Sequence, residues 1–197
     1  MCGRYFIDDS LKGFEPLIEA LNRGKRGDAT AVSIKTGEIR PTDVAPVIAN
    51  SRARRQRPFL MRWGFGGRDS HVVINARSET ALARPMFRDA MLERRCLVPA
   101  SYYFEWQAQG KRRIRHAMKQ DGPVMYMAGL YRLEAGSPLA AFTILTQAAD
   151  ERIARIHDRM PVLLPEQWAG EWLSQTADPA ALLERARGAV EVNAYLM

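Results

Sequence analysis

The second residue is a cysteine, and that position gives it chemistry that an internal cysteine lacks. Methionine aminopeptidases remove Met1 when the next residue is small, and Cys2 then carries an α-amine and a thiol on neighbouring carbons. The amine titrates at about 7.7–8.0 and the thiol at about 8.5, so both are partly available as nucleophiles at neutral pH. Such a 1,2-aminothiol attacks an aldehyde through nitrogen to give an imine, and the sulfur on its short tether then closes a thiazolidine ring. The alternative reading of Cys2 is a small apolar residue that opens a strand. Other chemistries leave no trace. Cys2, Cys96, His71, His116 and His157 lack the spacings of zinc ligands, and GxGxxG, Walker and GxSxG motifs are absent. Neither a metal nor a cofactor is therefore expected.

Charge narrows the partner. The chain has 197 residues, with 29 lysines plus arginines against 22 acidic residues and a net charge of +7. Only Lys12, Lys25, Lys35, Lys111 and Lys119 are lysines, so arginine, whose planar fork grips phosphate, carries most of the excess. A basic surface of this kind favours polyanions, above all nucleic acid. Two cysteines are too few for a disulfide framework and suit a reducing compartment. No apolar run approaches the roughly 18 residues of a membrane helix, and the charged start does not read as a signal peptide. A cytoplasmic, monomeric protein is expected, associated with the nucleoid through DNA and without a membrane partner.

The elements that must position these residues read as many strands with peripheral helices. Residues 2–6 form a short strand, and Leu11, Phe14, Leu17, Ile18 and Leu21 give helical spacing over Leu11–Leu21, with Asp9 or Ser10 as cap. Short strands broken by Pro41 and Pro46 occupy 30–50. The basic run 52–57 reads as a solvated hairpin tip, with direct DNA contact as the alternative. Strands follow at 59–63 and 72–75, then a helix over 85–94 with Pro85 in its first turn. The spans 96–99, 102–106, 112–119, 124–131 and 141–146 read as strands, and 150–156, 165–173 and 179–187 as helices. Cys96 is expected in a buried strand, and Trp168 and Trp172 in the core. With no βαβ rhythm, the pattern predicts an α+β fold: a single domain over 1–197 with a mostly antiparallel, barrel-like sheet.

Four segments then match one family in order: Met1-Cys2-Gly3-Arg4-Tyr5, Asn75-Ala76-Arg77-Ser78-Glu79-Thr80, Pro99 through Phe104-Glu105-Trp106, and His157-Asp158-Arg159-Met160-Pro161. With Trp63-Gly64, Ala128-Gly129-Leu130 and Thr143-Ile144-Leu145-Thr146 between them, the chain resembles the SRAP (SOS-response-associated peptidase) family. Members of that family crosslink to abasic sites in single-stranded DNA. The resemblance implies that Cys2 is the nucleophile toward the ring-opened abasic aldehyde, with Asn75 positioning Cys2 and the sugar. It makes Glu105 the acid–base group, its pKa raised by Phe104 and Trp106. His157 becomes the proton donor to the sugar ring oxygen. Arg4, Arg77 and Arg159 resemble phosphate clamps, and Trp63, Pro41 and Met86 resemble apolar contacts to flanking bases, with core packing as their alternative. The family's name records a peptidase activity, here removal of Met1 by the chain itself or by a cellular aminopeptidase. Two departures stand out: Tyr102-Tyr103-Phe104 replaces the usual Gly-Phe-Tyr, and the loop after Gly64 is short.

Two rival classes compete. An N-terminal-nucleophile amidohydrolase would use the Cys2 thiolate on an amide, but it leaves the basic charge unexplained. A non-catalytic single-strand-binding module explains the charge but not Cys2 with Asn75, Glu105 and His157.

Overall fold

A period of two along the central strands dictates the architecture, because alternate side chains enter two different cores. The computed structural model describes residues 2–10, 13–24, 34–67 and 71–197. Its first half contains β1 (Tyr5–Ile7), α1 (Glu15–Gly24), β2 (Gly37–Ile39), β3 (Val44–Asn50), β4 (Gln56–Trp63), β5 (Phe65–Gly66), β6 (Val72–Val73), β7 (Asn75–Arg77), α2 (Ser78–Ala81) and α3 (Pro85–Glu93). Then come β8 (Arg95–Ala100), β9 (Tyr102–Gln109), β10 (Arg112–Lys119), β11 (Met125–Arg132), β12 (Ala141–Ala148), β13 (Arg159–Pro161) and β14 (Leu163–Leu164). A single 3-10 turn, Glu166–Trp168, leads into α4 (Ala169–Leu173), α5 (Pro179–Arg185) and β15 (Asn193–Leu196).

One sheet has the order β15-β10-β9-β1-β2, antiparallel throughout. The other runs β13-β12-β4-β3-β8-β11-β14, and a further β11–β12 pairing closes β12, β4, β3, β8 and β11 into a ring. Pairing of β12 with β4 spans only Ala141↔Arg62 and Phe142↔Trp63, so the ring is narrowly closed there. The fold is α+β with mostly antiparallel strands, as the sequence pattern predicts. Cys96, Val98 and Ala100 on β8 and Phe142 and Ile144 on β12 join Cys2, Tyr5, Trp63 and Tyr103 in the core between ring and first sheet. Leu97, Ala141 and Leu145 face the other way, onto α3, α4 and α5 through Met91, Trp172, Leu182 and Leu183. Every residue of β8 is buried because both of its faces are covered.

Several local expectations are corrected. The helix predicted over Leu11–Leu21 runs Glu15–Gly24 instead, so neither Asp9 nor Ser10 caps it; Asp8 accepts from the Ser10 amide at 3.1 Å. Leu11, and residues 30–33 of the expected strand region, lie outside the described residues, as do 68–70 of the short loop. Pro46 does not break β3, since the β3–β8 pairing is confined to Ile48↔Leu97 and Ala49↔Cys96 and the proline needs no amide there. Residues 150–156 make turns rather than a helix. The basic run 52–57 turns as expected through residue 55, but Gln56 and Arg57 already belong to β4; Cys96 and Trp172 are buried as expected, whereas Trp168 is only partly buried. Among the described residues no helix is long and apolar enough to cross a membrane.

Gly64 follows Trp63 at φ 112°, and a Cβ there would lie 2.1 Å from Val72 Cγ1. Its amide donates to Phe142 O at 2.7 Å, tying β4 to β12 at the narrow closure. Gly64→Ala combines left-handed strain with overpacking, together about 2 kcal/mol or more. Its thermal unfolding midpoint, followed by circular dichroism, is expected to fall by about 4–8 °C, given roughly 2–4 °C per kcal/mol at this size.

Candidate active site

Cys2 precedes β1 and is fully buried where the first sheet meets the ring. Asn75, at the start of β7, donates from Nδ2 to the Cys2 carbonyl at 2.9 Å, and pairing of β7 with β12 (Asn75↔Ile144) fixes that donor. Asn75 Oδ1 is buried with no hydrogen-bond partner among the described residues. The Cys2 thiol approaches Arg4 O at 3.8 Å. Burial pushes its pKa up, and the Glu105 carboxylate adds to the rise, so the sulfur is held as a thiol.

Glu105 lies on β9 between Phe104 and Trp106, and the strand alternation turns it inward beside Tyr103. It is 1% exposed, and burial lifts its pKa to about 7. His157 Nε2 is 4.0 Å from Glu105 Oε2. The Arg159 amide donates to His157 Nδ1 at 3.0 Å, while Asp158 Oδ1 lies 2.9 Å from the same nitrogen. Those two contacts demand opposite tautomers. The Arg159 amide is fixed by the β12–β13 ladder, whereas the 84% exposed Asp158 side chain can swing into solvent, so the backbone donor decides. Neutral His157 then carries its proton on Nε2, toward Glu105. Burial lowers the His157 pKa and favours that neutral form. The four residues named from the sequence thus converge, although they are scattered over 155 positions.

The anticipated DNA contacts are placed unevenly. Arg77 is exposed at the end of β7, and Arg4 is one-third exposed with Nε 3.2 Å from Glu38 Oε1. Arg159 is different: its fork pairs with both Glu79 oxygens at 2.7 and 2.8 Å, and Nη2 also donates to Thr146 O. The same pairing holds the Glu79 carboxyl at about 2. Met86 is exposed and Pro41 half-buried. Trp63 is corrected: it is fully enclosed, with Nε1 donating to Ile74 O at 3.0 Å and its ring edge-on to Tyr5 and stacked near Phe142. Its indole is core, because β4 closes the ring at that residue. The departure at 102–104 is absorbed by packing, with Tyr102 stacked on Phe6 at 4.9 Å and edge-on to Phe104.

Two features escaped the sequence reading. Glu79 is one; its signal is an acid two residues after Arg77 in a segment otherwise read as a phosphate grip. Arg115 is the other: its guanidinium lies 3.6 Å from the Phe104 ring centre and 5.7 Å from that of Trp106. The period of two over β9 and β10 could have found it, since Arg115 pairs with Trp106.

The second-position cysteine is thus buried with an asparagine on its carbonyl and a glutamate and a histidine close to each other nearby. The chain is matched over residues 1–195 by the family model of the SOS response associated peptidase (SRAP), and it belongs to that family. The abasic site processing protein YoqW of Bacillus subtilis is 32% identical over 197 residues, covering 91% of this chain and 83% of the relative. The abasic site processing protein YedK of Escherichia coli is 34% identical over 139 residues, covering 68% and 63%. A crystal structure of a phage-related protein of Bordetella bronchiseptica shares the fold, with a TM-score of 0.76 at 24% identity over 100% of this chain and 94% of that one.

The Glu79–Arg159 pair yields an acid-side prediction. The folded carboxyl lies at about 2, below the ordinary value near 4.3, so the pair stabilises the fold above about pH 4.3 and that contribution is lost as pH falls through 2. Glu79→Gln should lower the unfolding midpoint at pH 7 by the equivalent of about 1 kcal/mol or less, since solvent screens the carboxylate. The gap to the wild type should narrow in melts recorded toward pH 2.

Proposed function

We propose that this protein forms a covalent adduct with abasic sites in single-stranded DNA through processed Cys2. Membership of the SRAP family and relatives named as abasic site processing proteins support abasic DNA as the substrate. The observation that carries the reading is a fully buried Cys2, its thiol pKa pushed up by desolvation, close to the buried Glu105, whose pKa is raised to about 7. A thiol held neutral is a poor first nucleophile, so the α-amine attacks. That same feature disfavours the amidohydrolase alternative, which needs the thiolate.

His157 donates from Nε2 to the ring oxygen as that oxygen's bond to the anomeric carbon breaks, and the anomeric hydroxyl returns its proton to His157, which releases the aldehyde and leaves the histidine neutral. The Cys2 nitrogen attacks the aldehyde carbon, its proton passes to the former carbonyl oxygen, and protonated Glu105 assists departure of that oxygen as water. The sulfur then adds to the imine carbon, its proton moves to nitrogen, and the thiazolidine closes with one water lost overall. Asn75 holds the Cys2 carbonyl through Nδ2 and offers Oδ1, which has no hydrogen-bond partner among the described residues, to the new amine or to the sugar. Arg4 and Arg77 meet phosphates, and Arg159 joins them where a phosphate displaces Glu79. Met86 and Pro41 contact flanking bases.

Incubation with a single strand bearing one abasic site, followed by denaturing electrophoresis and intact mass, tests the reading. The wild type is expected to lose Met1 and to give a heat-stable adduct. Cys2→Ala keeps the amine but not the sulfur, so its adduct should survive only after borohydride trapping. A heat-stable adduct from Cys2→Ala would overturn the proposed linkage.

Single-turnover rates from pH 6 to 9 separate the acid–base role. Wild-type crosslinking should show an inflection near 7, the rate falling as Glu105 loses its proton. Glu105→Gln should remove that inflection and slow formation roughly 10²-fold. A profile matching the wild type would make Glu105 structural.

A further inference from the structure

Strand β8 begins in a cavity outside the Cys2 site. Arg95 lies within it, and at the other end of the strand Ser101 donates to Phe6 O on β1. Five residue steps at about 3.3 Å separate the two ends by roughly 17 Å. The cavity measures about 560 Å³ and is enclosed by the β3–β4 hairpin, the end of α3 and the segment after α4. None of the residues assigned above to the active site lines it.

Its charge is one-sided. Arg52, Arg54, Arg94 and Arg95 line it against the single carboxylate of Glu93, which is already engaged by Arg94 at 3.0 Å. Arg95 is only 4% exposed. Its Nε donates to Trp172 O at 2.6 Å, its Nη1 to Met91 O at 2.5 Å and its Nη2 to Ser174 O. These carbonyls satisfy its N–H groups but carry no formal charge, and among the described residues no carboxylate lies within ion-pair distance of it. The carboxylate that acts on it, Asp178, does so from beyond ion-pair distance, so the buried guanidinium leaves a positive potential at the cavity floor.

The rim points the same way. Arg54 adopts φ 54°, the left-handed region that glycine occupies without strain, and it caps a turn closed by Arg54 N to Ser51 O at 2.8 Å. Glycine would suit that turn better, so the position favours the guanidinium over backbone comfort. The aromatic lining is limited to half-buried Tyr131, which offers no platform for stacking a base. Recognition therefore goes through phosphate oxygens, the anions that arginine forks match.

We propose that this cavity is a second anion site that binds phosphate groups, supplied by the backbone of a nucleic-acid segment or by a free phosphorylated ligand. The inference stands on the cavity's own charge and does not rest on the reading of Cys2. It also gives Arg52 and Arg54 of the basic run 52–57 a role.

The test compares wild type with the Arg52→Ala/Arg54→Ala variant. Isothermal titration with inorganic pyrophosphate should show affinity weakened about tenfold or more, the scale of a lost charge-assisted hydrogen bond. Anisotropy of an undamaged labelled single strand over a salt series should show a log–log slope flattened by roughly 0.7 per lost contact. Both changes together assign the site to nucleic-acid backbone. Weakened pyrophosphate binding with an unchanged slope assigns it to a small phosphorylated ligand. Unchanged binding of both probes overturns the site. Crosslinking of a short abasic strand should be unaffected, which keeps failure here distinct from failure at Cys2. Arg54→Gly should weaken pyrophosphate without lowering the unfolding midpoint; a lowered midpoint with unchanged binding would make Arg54 structural.

Discussion

Exclusion of water from the junction between the first sheet and the ring sets the chemistry of everything near Cys2. In that medium a thiol keeps its proton, a carboxyl keeps its proton to about pH 7, and an imidazole stays neutral. Desolvation is the leading cause of each shift, and at Cys2 the Glu105 carboxylate adds to it. The ring supplies the enclosure by burying both faces of β8 and β12, so the walls around Cys2 are also the main core of the fold. Tyr5, Tyr103 and Trp63 lie in the same buried cluster as Cys2.

Burial also separates the guanidinium groups. Arg77 lies exposed at the end of β7. The enclosed guanidinium groups take internal partners. Arg159 takes both oxygens of Glu79, and Arg95 takes backbone carbonyls at the ends of α3 and α4. Net charge alone does not distinguish these cases. Arg159 is thus a positioning group as the chain stands: its backbone amide sets the His157 tautomer while its side chain anchors α2 through Glu79.

The strand topology explains how residues distant in sequence meet. Asn75 reaches Cys2 because β7 pairs in parallel with β12, and Glu105 faces inward because β9 pairs with β1 in a register that puts Tyr103 opposite Tyr5. A slip of one residue on β9 would turn Glu105 to the solvent face and bring Phe104 or Trp106 inward. The cation–aromatic face of Arg115, Phe104 and Trp106 is the other side of that same alternation.

Much of this protein was legible in its sequence. The strands read over 112–119 and 141–146, the hairpin turn within 52–57 and the Pro85 helix follow from alternation and turn residues, which are local properties. The four central residues stood out because Cys2 has distinctive chemistry at a terminus and because the ordered motifs resemble one family. Only the tertiary structure decided the rest. Trp63 is core rather than surface because the ring closes on it, and Pro46 sits within a strand because its neighbour on one side pairs elsewhere. Arg159 is paired because Glu79, eighty residues away, is brought beside it. The elevated Glu105 pKa depends on burial. A sequence lists which groups can carry charge, but the desolvation and partners that fix their state arise from contacts between segments far apart along the chain.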